Sequence, residues 1–169
     1  MIRPSPWLER FVEHIPVNGQ ILDLACGSGR HARWLAARGY PVLAVDRDAV
    51  ALAGLQGLAN VTTEQQDLEG DAWPLAGRRF AGIVVTNYLW RPRLDDVFAL
   101  LAPGGVLIYD TFMLGHEAFG KPSNPDFLLK PGELRQRIAA AGLRELAFQE
   151  GLSEQARPAM RQAICAVRD

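Results

Sequence analysis

The run QILDLACGSGRHARWLAARG, residues 20–39, constrains this chain more than any other stretch. A short apolar segment breaks at two closely spaced glycines, then resumes with helical spacing until Gly39 ends it. A second apolar segment, YPVLAVD, follows at once and stops at Asp46. Strand, glycine loop, helix and strand in that order form a right-handed crossover unit with two parallel strands. In open sheets built this way, ligands collect beyond the carboxyl ends of the strands where the topology switches direction, which is where the glycine loop falls.

The rest of the chain continues the alternation. SPWLERFVEHI reads as an opening helix over 5–15, with Ser5 as cap and Pro6 at its first position. RDAVALAGLQGLA is weakly helical because Gly54 and Gly57 interrupt it. VTTEQQD and FAGIVVT read as the third and fourth strands, LDDVFALL as a helix stopped by APGG, and VLIYDTF as the fifth strand. Residues 113–130 have no clear period and many turn-forming residues, so they read as a long loop, and loops of that length in compact domains usually carry function. PGELRQRIAAAG is the last helix, and LRELAFQEG and RQAICAVRD are two strands separated only by a turn at ARP, residues 156–158. A hairpin there turns the last strand antiparallel, which predicts a doubly wound α/β fold around a mostly parallel seven-stranded sheet.

With 169 residues the chain suits a single domain spanning 1–169. Apolar residues make up 49% and charged residues 22%, a balance that fits a folded domain and neither disorder nor a membrane-embedded chain. Eighteen basic against 19 acidic residues supply no general attraction for nucleic acid, which is disfavoured as a partner, or for anionic lipid. The two cysteines, Cys26 and Cys165, build neither a disulfide framework nor a metal site. No secretory leader or membrane span is legible, so the expected location is the cytoplasm.

Gly27 and Gly29 allow positive φ and close approach of a ligand to the backbone. A dinucleotide site wants a third glycine where this chain has Ala32, so a pyrophosphate is disfavoured. Asp46, 23 residues after Asp23, suits a carboxylate accepting from both hydroxyls of a ribose. Asp23, just ahead of the glycines, suits an ammonium group and would repel a phosphate.

Together DLACGSG, Asp46, QQDLE and APGGVLIYDTF resemble a class I S-adenosylmethionine-dependent methyltransferase over nearly the whole chain. GSGRHARWLAARGYPVLAVD is similar to the small TehB-like tellurite-resistance group. The resemblance implies a Rossmann-like methyltransferase fold with S-adenosyl-L-methionine as cofactor. It implies that Asp23 and the loop Ala25, Cys26, Gly27 and Gly29 hold the methionine part, and that Asp46, with Arg47 beside it, holds the ribose. Asp67 would meet the adenine amino group, the Leu68 backbone its ring, and the Asn87 carbonyl the ammonium. Ala25 departs from the commonest pattern, which has a glycine there.

The expected acceptor is a small molecule. Tyr88, Arg91 and His116 are the candidate catalytic residues: an aromatic to shield the methyl, an arginine to hold an anionic acceptor, a histidine to move a proton at neutral pH. Trp90 stands with Tyr88 and Arg91 on the substrate side, and His31 and the strand-terminal Asp110 are further candidates. No metal is implied. A catalytically silent cofactor-binding module assisting a partner, and an NAD(P)-dependent oxidoreductase, stay open as alternatives.

Overall fold

The computed structural model describes residues 3–154 and 157–169. Met1, Ile2, Gln155 and Ala156 lie outside it, and with them part of the expected 156–158 turn. Seven strands form one sheet: β1 (Ile21–Leu24), β2 (Val42–Asp46), β3 (Val61–Gln65), β4 (Phe80–Thr86), β5 (Leu101–Phe112), β6 (Arg144–Ser153) and β7 (Ala159–Val167). Their spatial order is β3-β2-β1-β4-β5-β7-β6, and β7 runs antiparallel to both its neighbours while the other pairings are parallel. The expected architecture is therefore present, including the single reversed strand.

Both faces of the sheet are covered, which is why its inner strands are apolar runs and do not alternate with polar residues. One face packs Leu22, Leu24, Ile83, Val85 and Leu107 against α4 (Leu94–Phe98) and α5 (Glu133–Ala140). The other packs Ile21, Val84 and Ile108 against α1 (Pro6–Phe11) and α2 (Arg30–Ala36). Among the described residues, no helix is long and apolar enough to cross a membrane.

Several boundaries differ from the sequence reading. The opening helix is α for one and a half turns only and tightens to a 3-10 turn over Val12–His14; Ser5 does cap it, its hydroxyl accepting from Trp7 N–H at 3.2 Å. The RDAVALAGLQGLA helix shrinks to α3 (Ala49–Ala53), capped by Asp48 and ended at Gly54. Helix α4 stops at Phe98 rather than Leu101, because Leu101 already pairs with Phe80 in the sheet. The APGG segment lies inside irregular β5; a Cβ on Gly105 would sit 2.9 Å from the Phe80 carbonyl oxygen, so the chain passes there only as glycine. Residues 113–130 hold two 3-10 turns, His116–Ala118 and Pro125–Phe127, and close on themselves through a Met113–Leu129 bridge.

Candidate active site

The parallel strands β1, β2 and β4 and the start of antiparallel β7 bring their ends to one edge of the sheet, and two cavities open there. The first, about 350 Å³, is walled by Ala25 from the glycine loop, by Asp46 and Arg47 after β2, by Asp67 and Leu68 after β3, and by Asn87 and Tyr88 after β4. Asp48, Gln66 and Glu69 complete the wall, so four carboxylates face one arginine. An anionic pyrophosphate is repelled by such a wall, whereas hydroxyls, an amine or a cation are attracted.

The loop geometry explains how Asp46 is aimed. Its Oδ2 accepts from Gly27 N–H at 2.8 Å and its Oδ1 from Asp48 N–H at 2.9 Å. Each oxygen keeps a second lone pair for a ligand hydroxyl. Gly27 and Gly29 have φ of 56° and 82°, and a Cβ on Gly29 would lie 2.6 Å from the Leu55 methyls. Ala25 takes φ 53° despite its methyl group, a conformation that costs on the order of 1–2 kcal/mol.

Asp23 lies beneath this loop, 2% exposed and outside the cleft wall. Burial pushes its carboxyl up to about 7, against the Ala32 N–H bond and Arg30, which lower it, and with Asp46, which raises it. Oδ2 accepts from Ala32 N–H at 3.0 Å, at the start of α2. Oδ1 has no protein donor, yet Arg168 Nε is the only sealed side-chain atom without a partner among the described residues. Oδ1 therefore retains a little contact with solvent. Cys26 donates its thiol to the Gly27 carbonyl at 3.3 Å, and burial, then Asp23 and Asp46, raise its pKa and keep it protonated. Asp67 Oδ1 accepts from Glu69 N–H at 2.9 Å and Leu68 is buried, so the carboxylate and the apolar floor sit side by side.

The second cavity, about 500 Å³, adjoins the first at Asn87, which lines both. Asn87 has φ 57°, and its side-chain oxygen accepts from Arg161 Nη2 at 2.6 Å. Arg161 is clamped further by Asp110, Nε to Oδ1 at 2.8 Å, and Asp110 Oδ2 accepts from the Ser5 hydroxyl at 2.8 Å. Burial, with Arg30 nearby, lowers His31 to about 4, so its ring is neutral and Nε2 accepts from Ser5 N–H at 3.0 Å. It stabilises the N-terminal segment and is not placed to move protons.

The three expected catalytic residues each make contacts within the protein. Arg91 commits all five donors to the protein: Nε and Nη2 to Glu133, Nη1 to the Pro125 and Asp126 carbonyls, and Nη2 also to Leu128. It ties the long loop to α5 and has nothing left for an acceptor. His116 is largely buried, its Nδ1 accepting from Met160 N–H and its Nε2 beside the Lys121 carbonyl, so it pins the loop to β7 while one side of it lines the second cavity. Tyr88 sits in the acid-lined cleft and donates its hydroxyl to Glu69 at 3.0 Å; burial, then Glu69, raise its pKa. Trp90 borders a gap of about 10 Å³ beside Trp73. Asp110 does reach the second cavity.

Sequence reasoning missed Arg161. The signal was available in the hairpin: an antiparallel last strand must begin where β5 ends, and Phe112 pairs with Arg161.

A doubly wound sheet with a glycine loop, a strand-terminal acid and an acid-lined cleft defines the nucleoside-binding class of α/β proteins. The methyltransferase domain family matches residues 21–105, half of the chain, and this chain belongs to that family. It is 29% identical over 115 residues to YqeM of Bacillus subtilis, covering 62% of this chain and 47% of that protein. TehB from Haemophilus influenzae superposes with a TM-score of 0.78 at 19% identity, over 99% of this chain and 63% of that one. The glycopeptide N-methyltransferase MtfA, solved with S-adenosyl-L-methionine, gives 0.68 at 19% identity over 98% and 93%. The chain thus spans about half the length of YqeM.

Proposed function

We propose that this chain transfers a methyl group from S-adenosyl-L-methionine to a small-molecule acceptor. The observation that carries the reading is the acid-lined cleft over the glycine loop, where Asp46 offers two aimed oxygens. The residues fit the cofactor's chemistry: Asp46 for the ribose hydroxyls, Asp67 and Leu68 for the adenine, Asp23 and the Asn87 carbonyl for the ammonium, and the Ala25, Cys26, Gly27, Gly29 backbone for the methionine part. Arg47, at the rim, closes the ribose side. When bound, the cofactor supplies an electrophilic methyl group on a sulfonium and leaves as a neutral thioether.

The chain's own task is then to hold the acceptor in line and to keep water out, which alone supplies several kcal/mol of the barrier reduction. An acceptor that arrives as a nucleophile needs no base, so the structural duties of His116 leave the reading intact. Titration calorimetry with S-adenosylmethionine, S-adenosylhomocysteine and NAD tests it: the first two bind and NAD does not. NAD binding with silence toward both adenosyl-sulfur compounds overturns it.

The commitment of Arg91 and His116 to loop packing favours one second reading, a cofactor-binding module without transfer activity. Methyl release into thiols, phenols, amines and oxyanions separates the two. The near-neutral charge argues against a nucleic-acid acceptor, and two unpaired thiols suit a reducing, cytoplasmic setting.

A further inference from the structure

The two adjoining cavities have opposite electrical character. Around the second stand Arg30, Lys121, Arg157 and Arg161, with Asp110 the only carboxylate lining it among the described residues. That carboxylate is already paired to Arg161 at 2.8 Å. Arg30, Lys121 and Arg157 have no ion-pair partner among the described residues, in a chain whose net charge is -1. Arg161 Nη1 makes no hydrogen bond among the described residues and is not sealed from solvent, while Nε and Nη2 are locked by Asp110 and Asn87. It is a guanidinium fixed in direction with one end free, the arrangement that suits an oxyanion. Among the cations the wall also carries aromatic rings: Phe112 lies under the Arg161 guanidinium at 4.6 Å, and Phe119 is half exposed. A cavity of about 500 Å³ is in the range that accommodates organic ligands, far more than a bare inorganic oxyanion fills.

We infer that the second cavity binds the methyl acceptor as a small organic anion, a carboxylate or phosphate on an apolar or aromatic body. The head lies among Arg161, Arg157 and Lys121, and the body lies against Phe112 and Phe119. The inference rests on the methyltransferase reading for the word acceptor, and on the cavity alone for the word anion. It also accounts for the charge pattern: a cationic sulfonium enters one cleft, an anionic acceptor the other, and both meet at Asn87.

The test uses the intact protein with 2-naphthoate, its neutral amide and inorganic phosphate as probes, each titrated by calorimetry with and without S-adenosylhomocysteine. The expected result is naphthoate binding about tenfold or more tighter than the amide, weakening as salt is raised, with inorganic phosphate a poor competitor. The double variant Lys121→Gln, Arg157→Gln alters two exposed side chains and is expected to lose about tenfold in naphthoate affinity while keeping its S-adenosylhomocysteine affinity. Equal affinity for acid and amide overturns the anion site, as does unchanged naphthoate binding in the double variant. Phosphate competing as well as naphthoate overturns the apolar body. Failure of S-adenosylhomocysteine to bind overturns the methyltransferase reading, while the acid-to-amide ratio still reports on the cavity.

Discussion

Asp23 holds a carboxyl where burial disfavours its charge, and this has consequences that can be measured. Its folded pKa of about 7 exceeds the ordinary 3.8, so the folded protein binds that proton more tightly than the unfolded chain does. Its contribution to stability is therefore complete below about pH 4 and is lost as pH rises through 7, by an amount on the order of a few kcal/mol. Asp23→Asn removes the charge while keeping an acceptor for Ala32 N–H. The variant is expected to melt higher than the parent at pH 8, with little difference at pH 4, by calorimetric scans. A cation bound near Oδ1 favours the ionised form, so cofactor binding near pH 7 is expected to release a proton. Calorimetry in buffers of different ionisation enthalpy reads that release directly. Asp46→Asn keeps one acceptor for the loop but loses the charge that strengthens bonds to a ribose. An affinity loss of about 10- to 100-fold for S-adenosylhomocysteine is expected, on the basis of about 1.5–3 kcal/mol for bonds to a charged group.

The element that decides most is the turn between β1 and α2. Its two glycines do different work: Gly27 takes positive φ with open space around it, whereas Gly29 combines positive φ with close contact to Leu55. Gly29→Ala is thus expected to destabilise the fold by about 2–4 kcal/mol, from backbone strain plus overpacking. Ala25→Gly, in contrast, relieves a left-handed alanine. Denaturant unfolding is expected to show a stability gain of up to about 1 kcal/mol with cofactor affinity retained. This turn was legible in DLACGSG because positive φ and an abrupt stop of an apolar run have few other causes. The lengths of α1, α3 and α4 were less legible. Leu101, for one, is drawn out of the α4 helix by pairing with Phe80 in the sheet.

Across the whole molecule, the loop over 113–130 is held as a packed wall of the second cavity. Arg91 carries much of that role, bonding to Glu133 and to three loop carbonyls. Arg91→Met leaves the largely buried Glu133 carboxylate without its partner. A stability loss of about 2–3 kcal/mol is expected, short of a fully buried pair because Arg91 stays partly wet. Limited proteolysis is expected to show earlier cleavage between residues 119 and 130 in this variant, with S-adenosylhomocysteine affinity unchanged. The fold, its reversed last strand, the glycine turn and the acid at the end of β2 could be read in one dimension, because periodicity and turn chemistry are local properties. Which arginine faces a ligand was not local. Arg91 and Arg161 look equally available as letters, yet Glu133, 42 residues away, takes up the first, while the register of β7 on β5 sets the second beside Asp110 and Asn87. A guanidinium's role depends on how many of its donors the packed chain leaves over, and that number exists only once distant segments have met.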